Sequence, residues 1–510
     1  MDKVGGMRGF VASSIGVTCA AALALPLVPP ATAADTRPAA PAEAAPRAGT
    51  TARPDVPGST QSLPLRPLTR DRATGAAVLG LAPRTVRQFS LLGVVWDDPA
   101  AHLHGRVQVR TRSAATGAWS GWQDVETHYS DHAADPGTAE AASDAVRGAT
   151  APLWVGESDA VEIRVQPEPE PEPQSGEPGG SVSGDAAAGD AGAGHSHGDA
   201  GPDSDPPDAQ DSPDAQAAQT SQPGALTELP SGLRLELIDP GETAAAPAGT
   251  TDASRTGALT AEATAASAAN AALAPLGATE IPALTGEQTR QELLALRGPE
   301  LTEQQRAKPY IGPRPAIVTR RGWGANESLR EKQFVYTGKV KAAFVHHTAS
   351  GNTYSCSQAP SLIRGFYRYH VRSLGWRDIG YNFLVDKCGR IYEGRAGGVA
   401  KPVKGAHTFG FNTNTTGIAV IGSYGSKKPS SSAVKAVARL TAWKLGLHGM
   451  NPRGKTYLTS GGGNLYRKGK KVRLNVISGH RDGFNTTCPG GKLYRKLGTA
   501  RSTAARYQGR

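Results

Sequence analysis

The sequence predicts a two- or three-layer α/β domain at the C-terminal end, preceded by a small all-β domain and long disordered linkers. Three observations carry this reading. Beyond residue 309, short apolar runs alternate with amphipathic helical stretches, the pattern of strands covered by helices. Between residues 85 and 240, apolar side chains recur at period two between turn-forming residues, as in half-buried strands. Elsewhere in the first 300 residues Ala, Pro, Gly, Asp and Glu dominate. Such stretches bury too little surface to offset an ordering entropy of about 1–2 kcal/mol per residue. A length of 510 residues suggests three domains at roughly 150 residues each, and this composition lowers the number to two.

In chain order, Lys3 and Arg8 precede an apolar run over residues 10–28, and Ala31-Thr32-Ala33 offers a small-x-small cleavage site. Residues 1–33 are therefore expected to be a secretory signal peptide, and the mature chain to be secreted without a stable membrane anchor. Residues 34–84 are expected to be disordered. A β-sandwich-like domain is expected over 85–240, with Val107, Val109 and Thr111, then Val161, Ile163 and Val165, and finally Leu233, Leu235 and Leu237 as alternating strand positions. Trp119 and Trp122 are read as core in preference to sugar-stacking platforms. An acidic insertion at 167–228 opens with repeated Pro-Glu and is expected to be disordered; His195 and His197 fall inside it. Residues 241–308 read as an Ala/Thr-rich linker, with a short helix near 292–296.

From residue 309 the expected elements are a strand at 342–345 leading into His346-His347, and a helix over 360–373 presenting Leu362, Phe366 and Tyr369. A hairpin of 381–385 with 390–393 and a strand at 417–421 follow. A helix capped by Ser432 and a strand at 474–477 ending on Ser478-Gly479-His480 complete the set.

Charge is divided unevenly. Residues 301–510 hold 37 Lys and Arg against 7 Asp and Glu, whereas residues 1–300 hold 19 against 38. So basic a half attracts polyanions. Export turns that attraction towards anionic wall polymers and peptide carboxylates, and away from nucleic acid. After leader removal three cysteines remain, Cys356, Cys388 and Cys488, and an odd number asks which thiol stays unpaired. Pairing Cys356 with Cys388 would close a loop of about 33 residues, worth roughly 3–4 kcal/mol in chain entropy. Cys488 is then free to be a ligand. Together with His480 and one of His346 or His347 it would give a catalytic zinc its three protein groups and an open position. Strand parity lets only one of the adjacent histidines reach the metal, without saying which.

The runs FVHHTAS, LGWRDIGYNFLVD, RIYEGR, GAHTFGFNTNTTGIAVIGSY and SGHRDGFNTTCPG resemble the peptidoglycan recognition protein family, whose active members are zinc-dependent N-acetylmuramoyl-L-alanine amidases. The similarity spans about residues 320–497. It implies a mixed central β-sheet flanked by helices over 309–500, with zinc (Zn2+) held by His346, His480 and Cys488. The resemblance also implies a catalytic Tyr381, a supporting Thr486, and a Cys356–Cys388 disulfide like the paired cysteines of the family. His407 is expected to line the substrate groove and Arg395 to offer positive charge to stem-peptide carboxylates. Arg481 has spare charge of the same kind, His347 is left as a packing residue, and Trp323 is read as fold-forming. The implied activity is hydrolysis of the amide joining N-acetylmuramic acid to L-alanine in bacterial peptidoglycan. The alternative is a non-catalytic peptidoglycan-binding module.

Overall fold

The computed structural model describes residues 58–70, 77–168, 227–241 and 259–510. The expected signal peptide, residues 1–33, and most of the expected insertion at 167–228, with His195 and His197, lie outside the described residues.

Eight strands build the N-terminal half: β1 (Ser59–Pro64), β2 (Arg66–Arg70), β3 (Ala77–Trp96), β4 (Gly105–Ser113), β5 (Gln123–Val125), β6 (Gly148–Ala149), β7 (Leu153–Pro167) and β8 (Arg234–Asp239). They hydrogen-bond as one sheet in the order β1-β8-β3-β7-β4-β5, with β2 and β6 added along β3. The sheet bends where β3 and β7 shift register, between Leu81 and Arg84 and again around Phe89. The sheet starts earlier than the sequence predicts, because Ser59 to Pro64 pair with the last strand, β8, a partner far away in sequence. Trp119 and Trp122 lie outside the core. Arg110 stacks over both, and Arg164 sits 4.2 Å above the Trp122 ring.

Residues 89–96 of β3 are buried on both faces. Leu92, Val94 and Trp96 join Val109, Ile163 and Leu235 in the sheet's own core. Leu91 and Val95 face the other way, into a core shared with Phe366 and Tyr369 of the C-terminal half. Gly93, between them, leaves room for the Tyr369 hydroxyl, which would lie 2.3 Å from a Cβ at that position.

The central C-terminal sheet contains β9 (Glu280–Ile281), β10 (Ile317–Val318), β11 (Ala342–His347), β12 (Phe383–Val385), β13 (Ile391–Glu393), β14 (Thr415–Val420) and β17 (Ile477–Gly479). Its order is β17-β11-β14-β12-β13-β10-β9, and it mixes parallel pairs with antiparallel β12–β13 and β9–β10. Among the helices are α1 (Ala261–Ala268), α2 (Gly286–Arg297), α3 (Glu303–Ala307), α4 (Arg320–Trp323), α5 (Ala359–Arg368), α6 (Ser431–Gly446), α7 (Gly491–Tyr494) and α8 (Leu497–Tyr507). Period-two alternation sends Val345, Ile418 and Val420 to a face covered by Val437 and Leu440 of α6 and Ala504 of α8. Leu384 and Ala419 face Leu362, Ile363 and Phe366 of α5 on the opposite side. This is the mixed sheet flanked by helices.

Two segments depart from expectation. The linker predicted over 241–308 is folded from α1 onward: β9 extends the central sheet, and Leu273, Ile281 and Leu293 enter the core. A Thr285–Gln288 capping box starts α2. Its few apolar residues suffice because the sheet edge already offers them a surface. The single strand predicted at 474–477 is divided. β16 (Lys471–Asn475) pairs antiparallel with β15 (Lys455–Thr459), and β17 turns into the central sheet.

Candidate metal centre and substrate groove

β11 ends on the two adjacent histidines, and its parity decides between them. Ala343 and Val345 share one face of the strand with His347, whose Nδ1 accepts from the Tyr424 backbone N–H at 3.2 Å. His346 points to the other face. β17 runs parallel to β11, so His480, the residue after its end, opens beside His346, with ring centroids 4.5 Å apart. Cys488 follows on the loop before α7, its backbone N–H held by the Thr486 hydroxyl at 3.2 Å. Its Sγ lies 3.8 Å from Nδ1 of His346.

A fourth residue enters this cluster from the N-terminal half. His132, on the connection between β5 and β6, places Nε2 3.7 Å from the Cys488 sulfur. One ligand atom from each of His132, His346, His480 and Cys488 lies within 4.8 Å of the other three, and all four residues are buried. Donors around a tetrahedral zinc sit roughly 3.4–3.6 Å apart, given bonds of about 2.0–2.3 Å. The cluster is close to that spacing. Neither ring nitrogen of His480 makes a hydrogen bond of normal geometry, although the residue is fully buried. Leaving such a ring unsatisfied is costly; a cation would take the lone pair of one nitrogen, while Nδ1 lies 3.7 Å from the Asp131 carboxylate.

Protonation favours the same use. Burial, reinforced by the neighbouring histidines, holds His346 well below the ordinary imidazole value. Burial likewise brings His480 down to about 3, so both rings are neutral donors at physiological pH. Burial pushes the Cys488 thiol up, with the Asp131 carboxylate adding to it. A bound cation reverses that penalty and draws off the proton.

The remaining predicted site residues divide. Tyr381 is buried beside the cluster, its hydroxyl 3.2 Å from that of Tyr129. His407 does not line a groove. It is fully buried behind His346, with Nδ1 3.3 Å from the His346 Nε2, and its ring packs against Gly417 where a Cβ would clash at 2.3 Å. The GAHTFGFN loop therefore supports His346 from behind. Arg395 does not present a free guanidinium either: it forms a two-pronged ion pair with Glu140, at 2.7 and 2.9 Å. Arg481 donates to the Thr487 carbonyl at 2.6 Å. Cys356 and Cys388 form a disulfide, and Cys488 is the free cysteine among the described residues. Trp323 is buried and donates from Nε1 to the Glu393 carbonyl at 2.7 Å.

Sequence reasoning missed Tyr129, Asp131, His132 and Glu140. Their signal was a stretch, Tyr129-Ser130-Asp131-His132, that fits no strand pattern yet couples a carboxylate to an imidazole.

Residues 336–491 match the family model described as N-acetylmuramoyl-L-alanine amidase, and residues 38–184 match one described as Rv3811 N-terminal galactose-binding domain-like. The chain is 32% identical over 184 residues to peptidoglycan-recognition protein 1 of Holotrichia diomphalia, covering 36% of this chain and 79% of the relative. The chain belongs to the peptidoglycan recognition protein family. Another member, peptidoglycan-recognition protein SC2 of Drosophila simulans, is 27% identical over 183 residues, covering 36% of this chain and 85% of its own. Among solved structures, wild-type PGRP-LB of Drosophila matches 36% of this chain and 92% of its own at 26% identity, with a TM-score of 0.29. The family likeness falls on the C-terminal half; the residues that enter the metal cluster from the other half lie outside it.

Proposed function

We propose that the chain is a secreted, zinc-dependent N-acetylmuramoyl-L-alanine amidase that cleaves the amide between the lactyl group of N-acetylmuramic acid and L-alanine in bacterial peptidoglycan. The observation that carries this is the convergence of His346, His480 and Cys488 on one buried point, with a tyrosine hydroxyl beside it. Family membership supports peptidoglycan as the partner, and the leader-like N-terminus supports export. Among the described residues no helix is long and apolar enough to cross a membrane.

His346, His480 and Cys488 would hold the metal, and His407 fixes the ring of His346. When bound, zinc would supply Lewis acidity and lower the pKa of a water towards about 7. Tyr381, kept protonated by burial, is suited to donate a hydrogen bond to the amide oxygen as charge develops there. The Thr486 hydroxyl, at the rim of the cluster, is a second donor. The basic surface of this half draws the stem-peptide carboxylates in.

A second reading has one specific observation behind it. Four protein ligands, His132 included, are the set of a closed structural zinc site, as a non-catalytic recognition module would keep. Incubating the full chain and its His132→Ala variant with intact peptidoglycan, with and without chelator, separates the two. Mass spectrometry showing sugar-free stem peptides that begin with L-alanine, lost on chelation and restored by zinc, supports the amidase. Wall binding without peptide release from either zinc-loaded protein refutes it.

A further inference from the structure

Residues 126–147 connect β5 to β6 and make almost no regular structure of their own, yet much of the segment is buried. Tyr129, Asp131, His132, Ala134, Asp135 and Glu140 are each under a tenth exposed. Most of these polar groups meet the C-terminal half, whereas the Asp131 carboxylate turns one oxygen to His132 of the same segment and leaves the other without a hydrogen bond. The Asp131 carbonyl accepts from the Phe409 backbone N–H at 2.9 Å. Asp135 accepts from the backbone and side chain of Asn412 at 3.0 and 2.8 Å, and lies 3.3 Å from the Lys404 ammonium. Glu140 occupies the Arg395 guanidinium, and Tyr129 covers the Tyr381 hydroxyl.

Charge follows the same logic. The segment holds five carboxylates and a single Arg, against a catalytic half with 37 basic and 7 acidic residues. An acidic strand lying in a basic groove has the chemistry of an anionic stem peptide. Its imidazole is also prepared for a metal. Asp131 Oδ1 lies 2.8 Å from Nδ1 of His132, which fixes the tautomer that leaves Nε2 free to face Cys488. Open space remains beside the segment in two places. A cavity of about 540 Å³ is bordered by Tyr129, Trp376 and Phe484, and another of about 560 Å³ by Glu126, His347 and Arg481.

We propose that residues 126–147 are an internal occupant of the substrate groove and that His132 is an exchangeable fourth ligand closing the metal centre, so that the folded chain is latent. This rests on reading His346, His480 and Cys488 as the metal site. A metal with four protein ligands has no position for water, and a groove filled by Tyr129 and Glu140 has none for the stem peptide. Opening requires the segment alone to leave. Undocking the whole N-terminal half would break the apolar core in which Leu91, Val95 and Trp154 pack with Phe366 and Tyr369.

The test compares the full chain with His132→Ala and with the double variant Asp135→Asn, Glu140→Gln, which loosens the segment without removing a ligand. Each is loaded with cobalt(II) and titrated with azide while the visible spectrum is followed, and zinc loss to a chelator is timed separately. The wild-type spectrum is expected to ignore azide, and that of His132→Ala to shift. Zinc loss from His132→Ala should be at least about tenfold faster, and stem-peptide release from peptidoglycan should rise in both variants. A wild-type spectrum that responds to azide as the variant does, or equal peptide release from all three proteins, overturns the proposal. Should His132→Ala fail to fold, the double variant decides alone: unchanged azide response and peptide release overturn latency. A metal centre that opens in His132→Ala without any peptide release leaves the closure standing and refutes the amidase.

Discussion

Replacing Glu140 by Ala tests whether the acidic segment is docked in solution. Arg395 donates to both Glu140 oxygens, at 2.7 and 2.9 Å, and the two side chains are 8% and 9% exposed. Removing one partner of a buried pair leaves the other charge unpaired, at a cost of about 3–5 kcal/mol. Arg395 retains donations to the Ile379, Lys404 and Asp378 carbonyls, at 2.9, 3.4 and 3.4 Å, which puts the expectation at the lower end, about 3 kcal/mol. Urea unfolding should show a lower midpoint with little change in slope. The effect also has a pH signature. Burial alone would raise the Glu140 pKa, but the charge and hydrogen bonds of Arg395 outweigh it and hold the group below its ordinary 4.5. A depressed carboxylate contributes fully above its unfolded value and loses that contribution as pH falls through the folded one. The gap between wild type and variant should therefore be constant above pH 4.5 and shrink below it. A loss under about 1 kcal/mol, the worth of an exposed pair, would refute the docked segment.

Gly93→Ala should destabilise by about 1–3 kcal/mol in thermal unfolding, because its Cβ would lie 2.3 Å from the hydroxyl of the buried Tyr369, which is itself held by the Thr150 carbonyl; a neutral variant would mean the two halves do not pack as described. His407→Ala should weaken zinc binding about 10- to 100-fold in a chelator competition, since the Nε2 side of His346 loses its neighbour; unchanged affinity would return His407 to a packing role. Tyr381→Phe should keep its zinc and lose about 100- to 1000-fold in peptide release, measured in an opened background; full activity would remove Tyr381 from the mechanism.

Much of the C-terminal half was legible in the sequence because its determinants are local. The His346-His347 pair lies on one strand, and parity alone leaves a single candidate once the fold shows which face meets β17. His480 and Cys488 share one short loop. The Cys356–Cys388 disulfide is the pairing that the family resemblance implied, since three cysteines alone allow three pairings. The burial of His407 and the pairing of Arg395 with Glu140 were not legible, because a motif marks importance whereas burial and partners depend on cover from residues far away in sequence. Residues 126–147 lack helical or strand periodicity because their polar side chains answer to the groove and not to a neighbouring turn or strand. Residues 259–308 read as linker because Ala and Thr carry little hydrophobic signal, although a sheet edge can hold them. Strands β1 and β2 were missed because a Pro- and Arg-rich stretch acquires strand structure only through distant partners.

The most direct test of a metal centre assembled from both halves of the chain is X-ray absorption at the zinc edge on the zinc-loaded full chain. The account predicts one sulfur at about 2.3 Å and three imidazole nitrogens at about 2.0–2.1 Å, with one imidazole lost in His132→Ala. Two imidazoles and a water in the wild type would take His132 out of the metal site, and failure to bind zinc in this cluster would contradict the account as a whole.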